Sequence, residues 1–271
     1  MKRILLTGAG GAIGLRLRKR LPALYELVLT DLEPPADLEP HETFLAADLA
    51  DAPAIERAAA GAEGIVHLGG QSLEGSWETI LRSNIAGTYN LFEAARKQGV
   101  RRVVFASSNH VAGFYPREQT IGTQVLPLPD TRYGVSKAFG EALGALYAYK
   151  YGLGVFCIRI GNVSEVPADE RRLAIWLKPE DLVSLIRIGL EREGLVYEVV
   201  YGMSDNARAW WDNSRARELG YVPQGRSEDF VKEALAVQAA LPADETGSHF
   251  QGGPFCSQEF EGPLSRILCK A

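Results

Sequence analysis

The sequence predicts an α/β fold in which helices cover both faces of a doubly wound parallel sheet. Two observations support this class. Short β-branched or aliphatic runs alternate with longer helix-like segments over the first 160 residues, and the order is strand, helix, strand throughout. Such a repeat gives parallel strands joined by right-handed crossovers. The chain of 271 residues can hold one such core and a small appended region.

The predicted strands are continuous apolar runs, as expected for strands buried on both faces. They are Arg3–Thr7, Glu26–Thr30, Thr43–Ala47, Gly64–Leu68, Arg102–Ala106 and Gly154–Ile160. The segments between them carry helical patterns. They are Ala12–Leu21, Ala52–Ala60, Trp77–Gln98 and Tyr133–Tyr151.

The chain after about Gly161 is punctuated by proline and glycine and predicts a small cap over the mouth of the sheet. Its predicted elements are the helices Glu180–Glu191, Ser214–Leu219 and Glu228–Ala240 and the short strand Tyr197–Tyr201. The tail from Asp244 to Ala271 has weak periodicity and is predicted to be extended or partly loose. We therefore expect a cofactor-binding core over residues 1–165 and a substrate-capping region with the tail over 166–271.

The composition predicts a soluble cytoplasmic chain. A net charge of −5 favours neither nucleic acid nor a membrane surface as a partner. The three cysteines, Cys157, Cys256 and Cys269, lack CxxC spacing, so we expect no disulfide framework and no metal site. The apolar start contains four glycines and meets Arg16 and Arg18, which is unlike a signal peptide.

A glycine-rich turn follows the first predicted strand and opens the first helix. Gly8, Gly11 and Gly14 have the spacing GxxGxxG, which suits a tight turn, close approach of a pyrophosphate and close helix–strand packing. The helix start, with Ala12 and Ile13, offers unpaired N–H groups to phosphates. This context predicts dinucleotide binding by a Rossmann-type core.

Asp31 ends the second predicted strand and selects the cofactor. Its carboxylate can accept hydrogen bonds from the adenosine ribose hydroxyls and would repel a 2′-phosphate, and no Arg or Lys lies between Asp31 and Arg57. NAD is therefore favoured over NADP, with Leu32 beside it at the site. The alternative makes Asp31 a turn residue or helix cap.

Two further strand ends are predicted to line the cofactor. Asp48 and Leu49 close the third strand near the adenine, although Asp48 could equally cap the next helix together with Asp51. The small residues after the fourth strand would let the backbone lie against the cofactor; they form the segment Leu68-Gly69-Gly70. His67 is interpreted as a core histidine and is given no part in the chemistry.

Tyr133 and Lys137 are four residues apart and so share one face of a helix. A nearby ammonium stabilises a phenolate, so we expect Lys137 to pull the pKa of Tyr133 down toward neutral pH. Ser108 follows the fifth strand, at the edge of the sheet where ligands bind. Taken singly, these residues could form an exposed aromatic–cation pair and a turn cap.

Together these residues resemble the extended short-chain dehydrogenase/reductase superfamily over roughly the first 165 positions. The spacing of 25 between Ser108 and Tyr133 is similar to that of nucleotide-sugar epimerases in this group. More narrowly, the chain resembles the bacterial uronate dehydrogenases over nearly its full length. The segments that carry this resemblance are His67–Gly70, Phe105–His110, Tyr133–Lys137, Arg159–Gly161, Trp210–Asn213 and Phe250–Gly253.

The resemblance implies NAD-dependent oxidation of galacturonate or glucuronate, as the pyranose, at the anomeric carbon, giving an aldaro-lactone. Tyr133 would accept the proton of the anomeric hydroxyl, Lys137 would hold the nicotinamide ribose, and Ser108 would bond the reacting oxygen. Other matched positions are Ile160 for the cofactor and Ser72, Asn109, His110 and Asn162 for the sugar. Asn162 departs from the serine expected there, and the tail beyond Pro254 has no counterpart in the family pattern.

Arg171 matches the carboxylate-binding arginine of the family. A guanidinium can hold a carboxylate through two parallel hydrogen bonds, which lysine cannot copy. The alternative is a solvated charge run over Asp169–Arg172. Trp210 and Trp211 are expected to pack within the cap rather than line the pocket.

Two other functions share this fold. A nucleotide-sugar epimerase or dehydratase would need a longer C-terminal lobe than the 110 residues that follow Gly161. A non-catalytic NAD-sensing regulator could dispense with the Tyr133–Lys137 pair. For the uronate dehydrogenase that the resemblance implies, we expect a homo-oligomer that acts on a small molecule, a hexuronic acid.

Overall fold

The computed structural model describes residues 1–268 and is built around one seven-stranded parallel sheet. Its strand order is β3-β2-β1-β4-β5-β6-β9, and β7 and β8 form a separate two-stranded sheet. The strands are β1 (Arg3–Thr7), β2 (Glu26–Asp31), β3 (Thr43–Ala46), β4 (Gly64–His67), β5 (Arg102–Ser108), β6 (Gly154–Ile160), β7 (Asn162–Val163), β8 (Trp176–Leu177) and β9 (Tyr197–Gly202). The order reverses between β1 and β4, which opens a ligand crevice at the carboxyl ends of these strands. The predicted α/β class and its parallel sheet are confirmed.

Twelve α-helices connect and flank the strands over residues 1–268. They are α1 (Ala12–Arg18), α2 (Ala52–Ala58), α3 (Trp77–Ile80), α4 (Gly87–Lys97), α5 (Arg132–Tyr151), α6 (Glu170–Ile175), α7 (Pro179–Glu191), α8 (Ser214–Glu218), α9 (Val231–Gln238), α10 (Glu245–His249), α11 (Pro254–Ser257) and α12 (Ser265–Leu268). The predicted helix Trp77–Gln98 is present as three consecutive helical segments: α3, a π-helix over Leu81–Ala86, and α4. None of the helices in this part of the chain is long and apolar enough to cross a membrane.

Two apolar layers hold the sheet between the helices. Neighbouring strand residues point to opposite faces, so Leu6 packs with the layer that includes Leu185 of α7. Leu5 packs with the opposite layer, which includes Phe92 of α4 and Leu143 of α5. The second layer places α5, and with it Tyr133 and Lys137, against the sheet.

The region after residue 165 contributes to the core as well as to the cap. β9 pairs in parallel with β6 from Val155↔Tyr197 to Ile160↔Gly202, so it is the seventh strand of the main sheet. α7 packs against β5 on one face. A domain boundary at residue 165 would therefore separate β9 from the sheet to which it belongs, because the chain returns to the main sheet after it has formed α6, β8 and α7.

The prediction that the tail from Asp244 is extended or loose is wrong for its middle part. Phe250 forms an antiparallel bridge with Pro116, and the Gly252 N–H donates to the Gly113 carbonyl at 2.8 Å. Gln251 is 1% exposed and bonds the carbonyls of Pro116 and Gln119. These contacts join segments more than 130 residues apart, which local periodicity does not reveal. Cys269 and the last two residues lie outside the described part.

Candidate active site

The glycine turn leaves no room for side chains where the first strand meets α1. Gly8 has φ +69°, and a Cβ there would lie 2.8 Å from the Gly69 backbone nitrogen. A Cβ on Gly14 would lie 2.2 Å from the Gly8 carbonyl oxygen. Gly11, Ala12 and Ile13 begin the helix, and Gly11 is exposed. The turn therefore presents bare backbone and a helix start, a cradle suited to a pyrophosphate.

Asp31 lies at the end of β2 beside this turn. Its Oδ2 accepts the Gly10 N–H at 2.9 Å and its Oδ1 accepts the Leu32 N–H at 2.8 Å. The carboxylate is only half-buried, so both oxygens keep lone pairs for further donors. Leu32 is exposed. The geometry fits a carboxylate held ready for ribose hydroxyls.

Asp48 and Leu49 follow β3 and contact the segments that come after β4. Asp48 accepts the Ala50 N–H at 2.8 Å and pairs with Arg82 at 2.5 Å, whereas Asp51 is the residue that caps α2. Leu49 is within 3.0 Å of where a Cβ on Gly69 would be, so it packs against the segment after β4. Asp48 is therefore not the helix cap, and it is paired with a side chain of the π-helix.

His67 is satisfied within the core, as the sequence suggested. It is fully buried, and its Nδ1 is 2.7 Å from the Thr7 hydroxyl while its Nε2 is 3.5 Å from Thr88. Burial lowers the pKa of His67 to about 3, so the ring is neutral at physiological pH. Leu68 and Gly69 follow it, and Gly70 has φ +123° against the Asn84 amide.

Tyr133, Lys137 and Ser108 come together at the carboxyl edge of β5. Tyr133 and Lys137 lie on the first turns of α5, and the ammonium is 5.5 Å from the phenol ring centroid and 5.0 Å from the Phe105 ring. Ser108 ends β5, and its hydroxyl accepts the His110 N–H at 3.2 Å. Ser108 and Lys137 are buried, and Tyr133 is nearly so.

The expectation that Lys137 lowers the pKa of Tyr133 is wrong for this structure. Burial raises the pKa of Tyr133 to about 12, and the opposing influence comes from the Ser108 hydroxyl. Burial also lowers the pKa of Lys137 to about 8. Spacing showed that the two groups are close, but it did not show that both are desolvated, and burial disfavours the charged form of each.

The residues predicted for the sugar fall into a buried group and an outer group. Asn109 and His110 are buried in a 3₁₀ turn after β5, and the Asn109 Nδ2 has no hydrogen-bond partner among residues 1–268. Asn162 is half-buried, and its Oδ1 accepts the Ser164 hydroxyl at 3.0 Å. Ser72 lies in an exposed loop after β4, and Ile160 is buried at the end of β6.

Arg171 and Arg172 differ sharply although they are adjacent on α6. Arg171 is 7% exposed, its Nε donates to the Gln251 carbonyl at 3.1 Å, and its Nη2 has no partner within residues 1–268. Burial, together with the positive charges of Arg172 and Arg117, lowers the pKa of Arg171 to about 10. Arg172 pairs instead with Asp169, the N-cap residue of α6. A buried guanidinium with an unused N–H suits an anionic ligand.

Two site residues were not predicted. Asp130 is buried and bonds His110, but the run Pro129-Asp130-Thr131 looks like an ordinary helix start, where Thr131 caps α5. Asn84 is buried in the π-helix, where it accepts the Gln71 N–H at 2.7 Å and donates to Ser136 at 3.0 Å. It thereby ties the loop after β4 to α5.

Trp210 and Trp211 pack as expected. Trp211 stacks on Tyr201 with centroids 4.6 Å apart, and its indole N–H donates to the Gln251 side chain at 2.9 Å. Arg117 lies over Trp210 at 5.1 Å. Both indoles therefore anchor the cap and the tail.

The arrangement as a whole can move a proton and hold an anion. A dinucleotide cradle, a buried phenol beside an ammonium, and a buried guanidinium surround the carboxyl edge of β5. The phenol can accept a proton from a bound hydroxyl, while the guanidinium can fix an acidic group of the same ligand.

Comparison with known proteins agrees with this chemistry. The model of the NAD dependent epimerase/dehydratase family matches residues 4–172. The uronate dehydrogenase of Pseudomonas putida is 44% identical over 255 residues, which are 93% of this chain and 95% of that protein. The crystal structure of uronate dehydrogenase from Agrobacterium tumefaciens is 42% identical with a TM-score of 0.89, covering 97% of this chain and 98% of that chain. A tyrosine variant of that enzyme complexed with NAD is equally similar, at 42% identity and a TM-score of 0.89.

Proposed function

Because the chain belongs to the NAD-dependent epimerase/dehydratase family and, within it, to the uronate dehydrogenases, we propose that it oxidises hexuronates with NAD at the anomeric carbon. The substrate is galacturonate or glucuronate in its pyranose form, and the product is the aldaro-lactone. The observation that carries this proposal is the buried guanidinium of Arg171, whose Nη2 has no hydrogen-bond partner among residues 1–268. A neutral sugar can offer such a guanidinium hydroxyl oxygens but no negative charge and no bidentate carboxylate.

The cofactor site of this chain fits NAD. The bare turn at Gly8, Gly11 and Gly14 takes the pyrophosphate, and Asp31 takes the adenosine ribose hydroxyls. We assign the rest of the cleft to the residues at strand ends and helix starts. They are Ala12, Ile13, Leu32, Asp48, Leu49, Leu68, Gly69, Gly70 and Ile160. Bound NAD supplies the acceptor for the hydride that leaves the anomeric carbon.

The side chains around β5 perform the proton chemistry. Ser108 donates a hydrogen bond to the reacting oxygen, and Tyr133 removes the proton of the anomeric hydroxyl as the C–H bond breaks. Lys137 holds the nicotinamide ribose and, while protonated, stabilises the phenolate that proton removal requires. Asn109, His110, Asn162 and Ser72 contact the sugar, and Arg171 binds its carboxylate.

A panel of sugars tests this function. With NAD, galacturonate and glucuronate should both raise the absorbance of reduced cofactor, whereas the neutral sugars galactose and glucose should be slower by a factor of at least ~100, because they cannot pair with Arg171. NADP should be used less well because Asp31 repels its 2′-phosphate. Silence with both uronates would contradict the proposal, and turnover of a nucleotide-sugar would favour the epimerase or dehydratase alternative.

The chain also carries an apolar face that suits self-association. Six side chains on α3, the π-helix, α4 and α5 are between 42% and 77% exposed. They are Trp77, Leu81, Tyr89, Val135, Leu146 and Tyr149. They recur at helical spacing on α4 and α5 and on the segment that leads into α4. A second copy of the chain, related by a twofold axis, could cover them by packing its own α4 and α5 against these two helices. We therefore propose that the chain forms a homodimer through this face.

We also propose that the protein is cytoplasmic, because soluble NAD is available there.

Charge on this face should dissociate the dimer. The double variant L146K/Y149K places two lysines within the face and should weaken association at least tenfold, because each charge would lose its water on pairing. The control L126K changes a leucine that is as exposed as Tyr149, at 79%, and that is not one of the six residues of the face. Light scattering across a dilution series measures the result. An unmodified chain that is monomeric at every concentration would refute this part of the proposal.

A further inference from the structure

We propose that Asp130 is a positioning residue that fixes the tautomer of His110, so that the free ring nitrogen accepts a hydrogen bond from a sugar hydroxyl. The inference rests on the proposed function for the identity of the sugar. It adds a requirement on the substrate, namely a hydroxyl proton directed at His110.

The pair is a buried, directional contact. Asp130 Oδ2 is 2.6 Å from His110 Nδ1, and the exposures of the two side chains are 0% and 10%. The Thr131 hydroxyl donates to the other carboxylate oxygen at 2.9 Å. A Cβ on Gly113 or Gly252 would lie 1.9 or 2.0 Å from Oδ2, so the carboxylate fits only because both positions are glycine.

This contact determines which ring nitrogen carries the proton. A carboxylate can only accept hydrogen bonds, so Nδ1 is the protonated nitrogen and the Nε2 of a neutral ring is left as an acceptor. The ring is neutral because burial lowers the pKa of His110, and the positive charges of Arg171 and Arg172 act in the same direction against Asp130.

His67 shows what a purely structural histidine looks like in this protein. Both of its nitrogens face threonine hydroxyls, and its ring is fully buried. The Nε2 of His110, in contrast, has no hydrogen-bond partner among residues 1–268. The His110 ring contacts Phe255, with centroids 4.0 Å apart, and lies edge-to-face with Tyr133, with centroids 6.0 Å apart. A fixed ring with one free acceptor beside the phenol is poised for a ligand.

The unused polar groups beside His110 are donors, which leaves His110 as the acceptor of the site. The unused groups of Asn109 and Arg171 are both N–H donors, which suit the oxygens of an acidic sugar. His110 Nε2 is the acceptor in this set, so it requires a donor, and the only donors of a hexuronate at neutral pH are its hydroxyls. A deoxy or O-methyl sugar at that position would leave the nitrogen unpaired.

The variant Asp130→Asn tests the tautomer directly. Thr131 donates to one oxygen of Asp130, so the amide oxygen should keep that place and the amide N–H₂ should face Nδ1 of His110. The ring must then accept at Nδ1 and carry its proton on Nε2. Long-range proton–nitrogen NMR of the full chain distinguishes the two tautomers, and only four histidines need assignment. KM for the uronate should rise about 10- to 100-fold, with a smaller change in kcat, because a ground-state contact is lost.

Asp181→Asn is the matched control. Asp181 is also a fully buried carboxylate, and it accepts from Ser204, Gln224 and Gly225 away from this site. Its amide variant should lower the melting temperature without changing KM or the His110 spectrum. In addition, Asp130→Asn should have little further effect on KM in a His110→Ala background, because it acts through that ring.

The outcomes separate this inference from the proposed function. A wild-type spectrum with the proton on Nε2 would overturn the inference even if Asp130→Asn failed to fold. An unchanged KM in a folded Asp130→Asn protein would do the same. Wild-type protein with the expected tautomer but no turnover of either uronate would instead contradict the proposed function.

Discussion

Tyr133→Phe is expected to lower turnover of uronate by a factor of at least ~100 while NAD still binds. The substitution removes the hydroxyl that takes the anomeric proton and leaves the buried ring in place, so neither the core nor the glycine turn is disturbed. Turnover is measured from reduced cofactor, and NAD affinity from quenching of protein fluorescence. Unchanged turnover would remove Tyr133 from the chemistry.

The pH dependence of the unmodified chain provides an independent check of the same pair. At low pH the pair of Tyr133 and Lys137 carries two protons, and its reactive form, a phenolate beside an ammonium, carries one. Burial raises the pKa of Tyr133 and lowers the pKa of Lys137 to about 8, so the pair loses its first proton as the pH rises through about 8. We therefore expect kcat/KM to rise with pH through about 8. Tyr133→Phe should abolish this rise, whereas a rise that persists would assign it to another group.

Arg171→Ala is expected to raise KM for uronate by roughly 100-fold, equivalent to about 3 kcal/mol for the loss of a charged hydrogen-bonded pair. Initial rates across uronate concentrations measure this effect, with NAD saturating. The fold should survive, because within residues 1–268 Arg171 makes one hydrogen bond, to the Gln251 carbonyl. Arg171 packs against Gly253 rather than against the glycine turn that is proposed to hold NAD, so NAD affinity should not change.

The neighbouring Arg172→Ala is the matched control for this prediction. Arg172 pairs with Asp169, the N-cap residue of the same helix, and is partly exposed, so its loss should cost no more than about 1 kcal/mol of stability. KM should stay within a factor of two of the unmodified chain. If Arg172→Ala rather than Arg171→Ala raised KM, the carboxylate contact would belong to Arg172.

The elements that sequence predicted best are those whose pattern is local and long. Continuous apolar runs gave β1 and β6 with the same bounds as in the structure, Arg3–Thr7 and Gly154–Ile160. Helices of one or two turns, such as α6, α10 and α11, carry too few residues for a periodic signal. The burial of Phe250–Gly253 was not predicted because it depends on distant partners.

The same distinction applies to the site. Gly8, Asp31, Ser108 and the Tyr133–Lys137 pair follow strand ends or share a helix face, so topology alone groups them. Asp130 and His110 are 20 positions apart in the sequence, and spacing does not indicate that they are hydrogen-bond partners. The sign of the pKa shift of Tyr133 depends on how much water the fold excludes, which a motif does not report.

Gln251 joins three distant stretches of the chain at one residue. Its carbonyl accepts a hydrogen bond from Arg171, its side-chain oxygen accepts one from Trp211, and its side-chain N–H₂ donates to the carbonyls of Pro116 and Gln119. A substitution at Gln251 would therefore disturb the support of Arg171 and the loop around residues 116–119 together, although neither is its neighbour in sequence.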